Sequence, residues 1–353
     1  MENLRQRGTI TRAEILQQPD LWPTTLDRIR QSGISVLPRN VPVVITGAGS
    51  SAYAATAIAA AWRGALAVPT TDLLLDPAPF FATGGLLISL ARSGDSPESV
   101  GVVKKVQRLF PAVEHLVITC NASGALARTT GVQAIVLDPR TNDRSLVMTS
   151  SFSNLVLAGL CLQRPDEIAQ ALPAICRRVG SQLPTAEEQA KALAVQPYPR
   201  VAVLASRALY GAASESALKL LEMTAGKTAA MAETFLGLRH GPMSFLRNDS
   251  LVVSFLSANS LHRKYEEDLV REVREKRLGQ LLGIGPPEYS QMFDDYAPAM
   301  APELPDSLRT PFEIVYAQLL AYHMSLAAGL DPDNPSPGGV INRVVTGVRL
   351  HDA

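Results

Sequence analysis

Short apolar runs recur along the chain, each followed by a small polar turn and then by a stretch with helical periodicity. Residues 1–38 read as a helical lead-in, with Thr11 to Glu14 as a capping box and helical spacing from Asp20 to Ser32. Val41 to Thr46 is the first buried-strand signal; it runs into Gly47-Ala-Gly-Ser-Ser51 and an alanine-rich helix expected over Ala54 to Ala67. Leu86 to Leu90 is the second, followed by the turn Ala91 to Ser96 and a helix from Pro97 to Leu109. Ser96 is the expected N-cap, and Pro97 takes the first helical position. Leu116 to Cys120 is a third strand, with a turn at Asn121 to Gly124 and a short helix. Val132 to Leu137 is a fourth, and residues 142–164 form a polar turn and a long apolar helix. Residues 165–198, helical and partly charged, connect the two halves.

The second half replays the first. Arg200 to Ala205 is a strand, Ser206 to Gly211 a turn and Ala212 to Gly226 a helix. Ser250 to Leu256 is another strand, and Leu281 to Ile284 a weak one. The charged run 264–277 reads as a solvated helix face, Thr310 to Gly329 as an apolar helix, and a tail rich in Pro and Gly follows. Strands alternating with helices at these lengths predict an α/β fold with parallel, doubly wound sheets and a rough internal duplication. The domains expected are the lead-in 1–38, a first domain over 39–180 and a second over 181–353.

Composition narrows the possibilities. With 353 residues, 46% of them hydrophobic, the chain can bury two cores. Lys plus Arg equals Asp plus Glu at 33 each, so no electrostatic argument points to nucleic acid or an acidic membrane. Cys120, Cys161 and Cys176 fit no metal-ligand spacing and read as reduced, buried thiols. Without an apolar N-terminal core or a run of the roughly 20 residues that span a bilayer, the chain reads as a cytoplasmic globular protein. The histidines have no HxH or HExxH spacing, so no metal is expected.

Chemistry concentrates in three places. The turns at Gly49, Ser50 and Ser51 and at Ser93 and Ser96 each follow a strand and open a helix, which is where backbone amides and hydroxyls meet an anion. With no Lys or Arg in the first turn, a small sugar phosphate suits them better than a polyphosphate. Gly47-Ala-Gly49 lacks the third glycine of a dinucleotide fingerprint, and Walker A is absent. The third place is residues 213–246, where Glu215, Lys219 and Glu222 recur along one helical stripe and His240-Gly-Pro follows. Alone, such a triplet describes a solvated face; a carboxylate on a helix followed by an imidazole on a turn also suits proton transfer.

On these residues the chain resembles the sugar isomerase (SIS) domain family. It is similar to double-SIS proteins akin to the isomerase half of glucosamine-6-phosphate synthase, and among them to the AgaS-type galactosamine-6-phosphate deaminase/isomerase family. The resemblance is carried by ITGAGSSAYAA (45–55), ISLARSGDSPESV (88–100), TCNASGALA (119–127), NDRSLVMTSSF (142–152), residues 217–242 and DPDNPSPGGVINRVVTGV (331–348). It implies two tandem SIS domains, each a flavodoxin-like parallel sheet flanked by helices. Ser51, Ser93 and Ser96 match the phosphate-binding hydroxyls, with Ser50 and Arg92 beside them. Gly49, Leu146 and Val147 fall at the sugar, and Arg343 is the nearest cation in the tail. Glu222 matches the base that moves a proton between C1 and C2, Lys219 and Glu215 the charges supporting it, and His240 the ring-opening imidazole. The resemblance further implies a homodimer or higher homo-oligomer with its site at the subunit interface, where His240 would serve the partner's site, and no cofactor. The expected reaction converts an amino-sugar 6-phosphate, galactosamine 6-phosphate, to tagatose 6-phosphate and ammonia. A plain aldose–ketose isomerase, a fructosamine-6-phosphate deglycase and a non-catalytic sugar-phosphate regulator remain alternatives. Two departures stand out: no glutaminase domain is expected from these residues, and no lysine follows Lys276 among them. The synthase-type enzymes use a lysine near the C-terminus, so an imine through that residue is excluded.

Overall fold

Buried apolar runs alternating with helices build two parallel sheets. The structure, a computed structural model, describes residues 7–34, 41–345 and 347–351. Two compact units divide it: a first of residues 17–173 with the tail from Gly338, and a second of 174–337 with α1 (Thr9–Leu16). The division at Pro173 falls inside a single helix, α8, which runs over Pro165–Leu193. The domain limit expected at 38 lies outside the described residues.

The first unit comprises α2 (Gln18–Ser32), β1 (Val43–Thr46), α3 (Ser50–Ala61), β2 (Ala65–Ala67), α4 (Thr70–Leu75) and α5 (Ala78–Phe81). It continues through β3 (Gly85–Ala91), α6 (Pro97–Leu109), β4 (Val113–Thr119), β5 (Gln133–Val136) and α7 (Ser150–Gln163). Its strands lie in the order β2-β1-β3-β4-β5, all parallel. On one face Val44 and Leu87 pack against Val102 and Val106 of α6 with Leu73 and Phe81. On the other, α3 packs against α7.

The second unit comprises β6 (Arg200–Ala205), α9 (Tyr210–Met223), β7 (Ala229–Glu233), β8 (Ser250–Phe255), α10 (Ser260–Glu275), β9 (Gln280–Gly285), β10 (Asp295–Pro298) and α11 (Asp306–Ala327). Its sheet, β7-β6-β8-β9-β10, repeats the strand order of the first, so the internal duplication extends to topology. Ala202, Leu204 and Val252 meet Leu269, Val270 and Val273 of α10 on one face, while α9 packs on α11. Residues Leu308 to Ser325 of α11 are buried without interruption, the ion-paired Arg309 and Glu313 among them.

Several local expectations change. The helix expected over 54–67 ends at Ala61, and residues 65–67 form edge strand β2. Edge strands β2, β7 and β10 carry weak signals because they are short, alanine-rich or ended by a proline, Pro298, and tertiary pairing overrides propensity. No helix follows Gly124. That segment is pinned to the β3 loop, where Leu126 donates its amide to the Gly94 carbonyl at 2.9 Å and a Cβ on Gly124 would meet the Ser93 carbonyl oxygen at 2.3 Å. Thr11 lies inside α1 and forms no capping box. The Asp333 carboxylate instead accepts the amides of Ile10 (3.1 Å) and Thr11 (2.7 Å). The solvated reading of 264–277 fails at Glu266, which is fully buried. Finally, the tail expected within the second domain belongs from Gly338 onward to the first unit.

Candidate active site

In a sheet of this order the chain leaves β1 towards one edge and returns on the other side as β3, opening a crevice beyond their carboxyl ends where α/β proteins take ligands. The two serine turns flank that crevice. In the first, a Cβ on Gly47 would lie 2.4 Å from the Ser51 backbone, and Gly49 adopts φ 56°, ψ −129°, a conformation open to glycine. Both features bring the chain tightly round so that Ser50 and Ser51 begin α3, each 4% exposed. In the second turn the Ser93 hydroxyl accepts the Asp95 amide at 3.3 Å and donates to no group among the described residues. Ser96 stands at the N-cap position of α6 as expected, but its hydroxyl donates to Glu98 Oε2 at 2.7 Å rather than capping the helix. Ser51 and Ser93 with the amino ends of α3 and α6 therefore form the part of this crevice suited to an anion.

Arg92 is buried and its guanidinium turns onto carbonyl oxygens. One amino group lies 3.3, 2.9 and 3.1 Å from those of Ser145, Leu146 and Val147, and the other donates to that of Arg343 at 2.6 Å. Arg343 reciprocates through its own guanidinium, with Nε 2.8 Å from the Asp143 carbonyl and Nη2 2.7 Å from Asn142 Oδ1. The two arginines thus fix the 142–147 turn and the tail by charge-assisted hydrogen bonds. Asp143, which sequence reasoning missed, organises the same turn. It is 1% exposed, and its carboxylate accepts the amides of Thr149 (2.7 Å), Ser150 (3.1 Å) and Ser151 (2.9 Å) and the Ser151 hydroxyl (2.5 Å). An acid shortly before a Thr-Ser-Ser helix start was the available signal.

In the second unit α9 carries the triad expected on it. Glu215 and Lys219 are wholly buried, and Glu222 has 22% of its side chain exposed. Lys219 Nζ lies 3.4 Å from Glu215 Oε1 and donates to Glu222 Oε2. Burial replaces the solvated face that the spacing alone suggests. Two carboxylates share one ammonium, and only Glu222 reaches the surface.

His240 is brought elsewhere. The turn Gly237–His240 follows β7 and is anchored by Leu238 in the core with α10 and by Arg239, whose Nε lies 2.6 Å from Glu272 Oε2. His240 is exposed and makes no hydrogen bond or ion pair among the described residues. Its segment crosses the α10 face of the sheet, whereas Glu222 sits on the α9–α11 face. The two are therefore on opposite sides of one sheet. No group of three or more potential metal ligands occurs among the described residues, and no described helix is long and apolar enough to cross a membrane.

Two units, each a parallel five-stranded sheet flanked by helices, have the architecture of tandem SIS domains. No family model matches the chain. D-galactosamine-6-phosphate deaminase AgaS of Escherichia coli is 36% identical to it over 98% of this chain and 96% of its own. The crystal structure of tagatose-6-phosphate ketose/aldose isomerase from Escherichia coli superposes with TM-score 0.85 at 32% identity, covering 98% of this chain and 97% of that one. The C-terminal domain of glucosamine-fructose-6-phosphate aminotransferase from Francisella tularensis shares the fold, with TM-score 0.78 at 17% identity over 93% and 99%. The chain belongs to the AgaS family of the double-SIS proteins.

Proposed function

We infer that the chain deaminates and isomerises an amino-sugar 6-phosphate, galactosamine 6-phosphate, giving tagatose 6-phosphate and ammonia. The observation that carries this reading is the buried triad, in which Lys219 holds Glu222 at the surface as the one accessible carboxylate. The phosphate sits on Ser51 and Ser93 and the amino ends of α3 and α6, with Ser96 joining when it exchanges Glu98 for the ligand. Arg92, Asp143 and Arg343 hold the backbone of Leu146 and Val147 towards the sugar. His240 opens the ring by proton transfer. Glu222 then takes the proton from C2 of the open aldose and returns it at C1, leaving a ketimine at C2. Water adds to that carbon and the C–N bond breaks, so each substrate and water give one ketose phosphate and one ammonia. The C1 aldehyde takes up the electron pair left at C2, and the substrate's own nitrogen forms the imine as C1 is protonated, which suits a chain whose tail offers Arg343 in place of a lysine.

Because Glu222 and His240 stand on opposite faces of one sheet, the imidazole that reaches a given Glu222 comes from a second copy of the chain. A homodimer follows, with composite sites. Purified protein given galactosamine 6-phosphate is expected to release ammonia and tagatose 6-phosphate in equal amounts, and Glu222→Gln to abolish both. Interconversion of unaminated sugar phosphates with no ammonia from the amino sugar would replace deamination with plain aldose–ketose isomerisation, the activity named for the E. coli structure.

A further inference from the structure

The second unit has the same switch-point crevice as the first, between the carboxyl ends of the neighbouring strands β6 and β8. Its two turns keep the layout of the serine turns. Gly49 has φ 56° three residues beyond β1, and Arg207 has φ 47° two residues beyond β6, a left-handed backbone that a non-glycine residue rarely holds. Ser93 and Ser257 each lie two residues beyond their strand. Each accepts the amide two residues on, at 3.3 Å from Asp95 and 3.0 Å from Asn259.

The contents of the two crevices differ. The Ser257 hydroxyl donates to Asp306 Oδ2, and the Ala258 amide donates to Asp306 Oδ1 at 2.8 Å. Arg309, 1% exposed, places Nη1 2.9 Å from Asp306 Oδ1 and 3.1 Å from the Leu256 carbonyl, while its Nε lies 3.0 Å from Glu313 Oε1. Glu313 is held in turn by the amides of Met300 and Ala301, at 3.0 and 3.3 Å. A hydroxyl, a backbone amide at the start of a helix and a guanidinium converging on one carboxylate make a complete receptor for a small anion.

We propose that the crevice of the second unit is an anion receptor of the same design as the first, plugged by the chain's own Asp306 carboxylate. Glu266 closes it from below. It is fully buried, and its Oε2 accepts the Ser257 amide at 2.9 Å. The plug also fixes the amino end of α11, the helix that packs along α9 and its triad. The proposal stands apart from the identity of the sugar, because it concerns donors and a carboxylate present in the protein alone.

Asp306→Gly removes the plug and leaves Ser257, Ala258 and Arg309 facing a space of carboxylate size. The probes are sodium formate and inorganic phosphate, with sodium chloride at equal ionic strength as reference, and the readout is the unfolding temperature. The glycine variant is expected to unfold several degrees below the parent in chloride. Formate or phosphate then restores roughly half of that loss, beyond any gain the same salts give the parent. Asp306→Asn still fills the receptor and is expected to gain nothing from either anion over the parent. If the glycine variant refolds poorly, its yield in formate against chloride is the measurement. A glycine variant as stable as the parent, or one that neither anion stabilises nor helps to refold, overturns the proposal, as does an equal gain by the asparagine variant.

Discussion

Lys219→Met tests whether the triad is a buried charge cluster or surface decoration. The ammonium is wholly buried, and removing it leaves Glu215, equally buried, 3.4 Å from a thioether position instead of a cation. Taking one partner from a buried ion pair costs about 3–5 kcal/mol, because the remaining charge keeps its desolvation penalty without its compensation. That is a large fraction of the roughly 5–15 kcal/mol by which domains are stable. Urea unfolding followed by circular dichroism is expected to show a loss of this size. The double variant Glu215→Leu with Lys219→Met removes both buried partners and is expected to regain most of the loss, since an apolar pair of similar volume replaces a buried ion pair at little cost. Neither variant should turn over an amino-sugar phosphate, because Glu222 has lost the lysine that holds it. A single variant within about 0.5 kcal/mol of the parent, as at exposed positions, would refute burial as the feature that matters.

Gly49→Ala puts a Cβ on a backbone at φ 56°, ψ −129° and is expected to cost about 1–3 kcal/mol and to weaken phosphate-ester binding, read by calorimetry. Asp143→Asn should destabilise by about 1–3 kcal/mol per unsatisfied amide at the start of α7, and should raise KM more than it lowers kcat because the 142–147 turn loosens. Burial pushes the Glu266 carboxyl up to about 7 against the neighbouring Ser206 hydroxyl and Ser257 amide. With the folded value above the unfolded one, the stabilisation is complete below the unfolded value near 4.5 and is lost as pH rises to about 7, some 3 kcal/mol in all. Glu266→Gln should therefore gain on the parent in urea titrations between pH 5 and 8, and an unchanged difference would sink the reasoning. Co-expressed Glu222→Gln and His240→Ala chains should regain activity that neither shows alone, through hybrid dimers with one intact site; no recovery would place both residues in one subunit's site.

The central strands were legible in the chain alone, because β1, β3, β4, β6, β8 and β9 are buried enough to require near-continuous apolar runs whatever surrounds them. So were the serine turns, since a strand entering a helix through Gly and Ser has few conformations open to it, and the order of the duplicated halves. Tertiary structure alone decided the rest. Edge strands β2, β7 and β10 exist because a neighbour pairs with them, and their own residues say little. The amino end of α1 is satisfied by Asp333, from the far end of the chain, rather than by the local Thr11 and Glu14. Helical spacing put Glu215, Lys219 and Glu222 on one stripe, but only packing against α11 decided that the stripe faces inward. The same holds for Asp306 and Arg309, which precede the helix that periodicity predicts from Thr310: only the fold sets them in the second crevice, where Asp306 meets a donor from a distant loop. Periodicity reports which residues share a face; what that face meets depends on contacts between residues far apart in the chain.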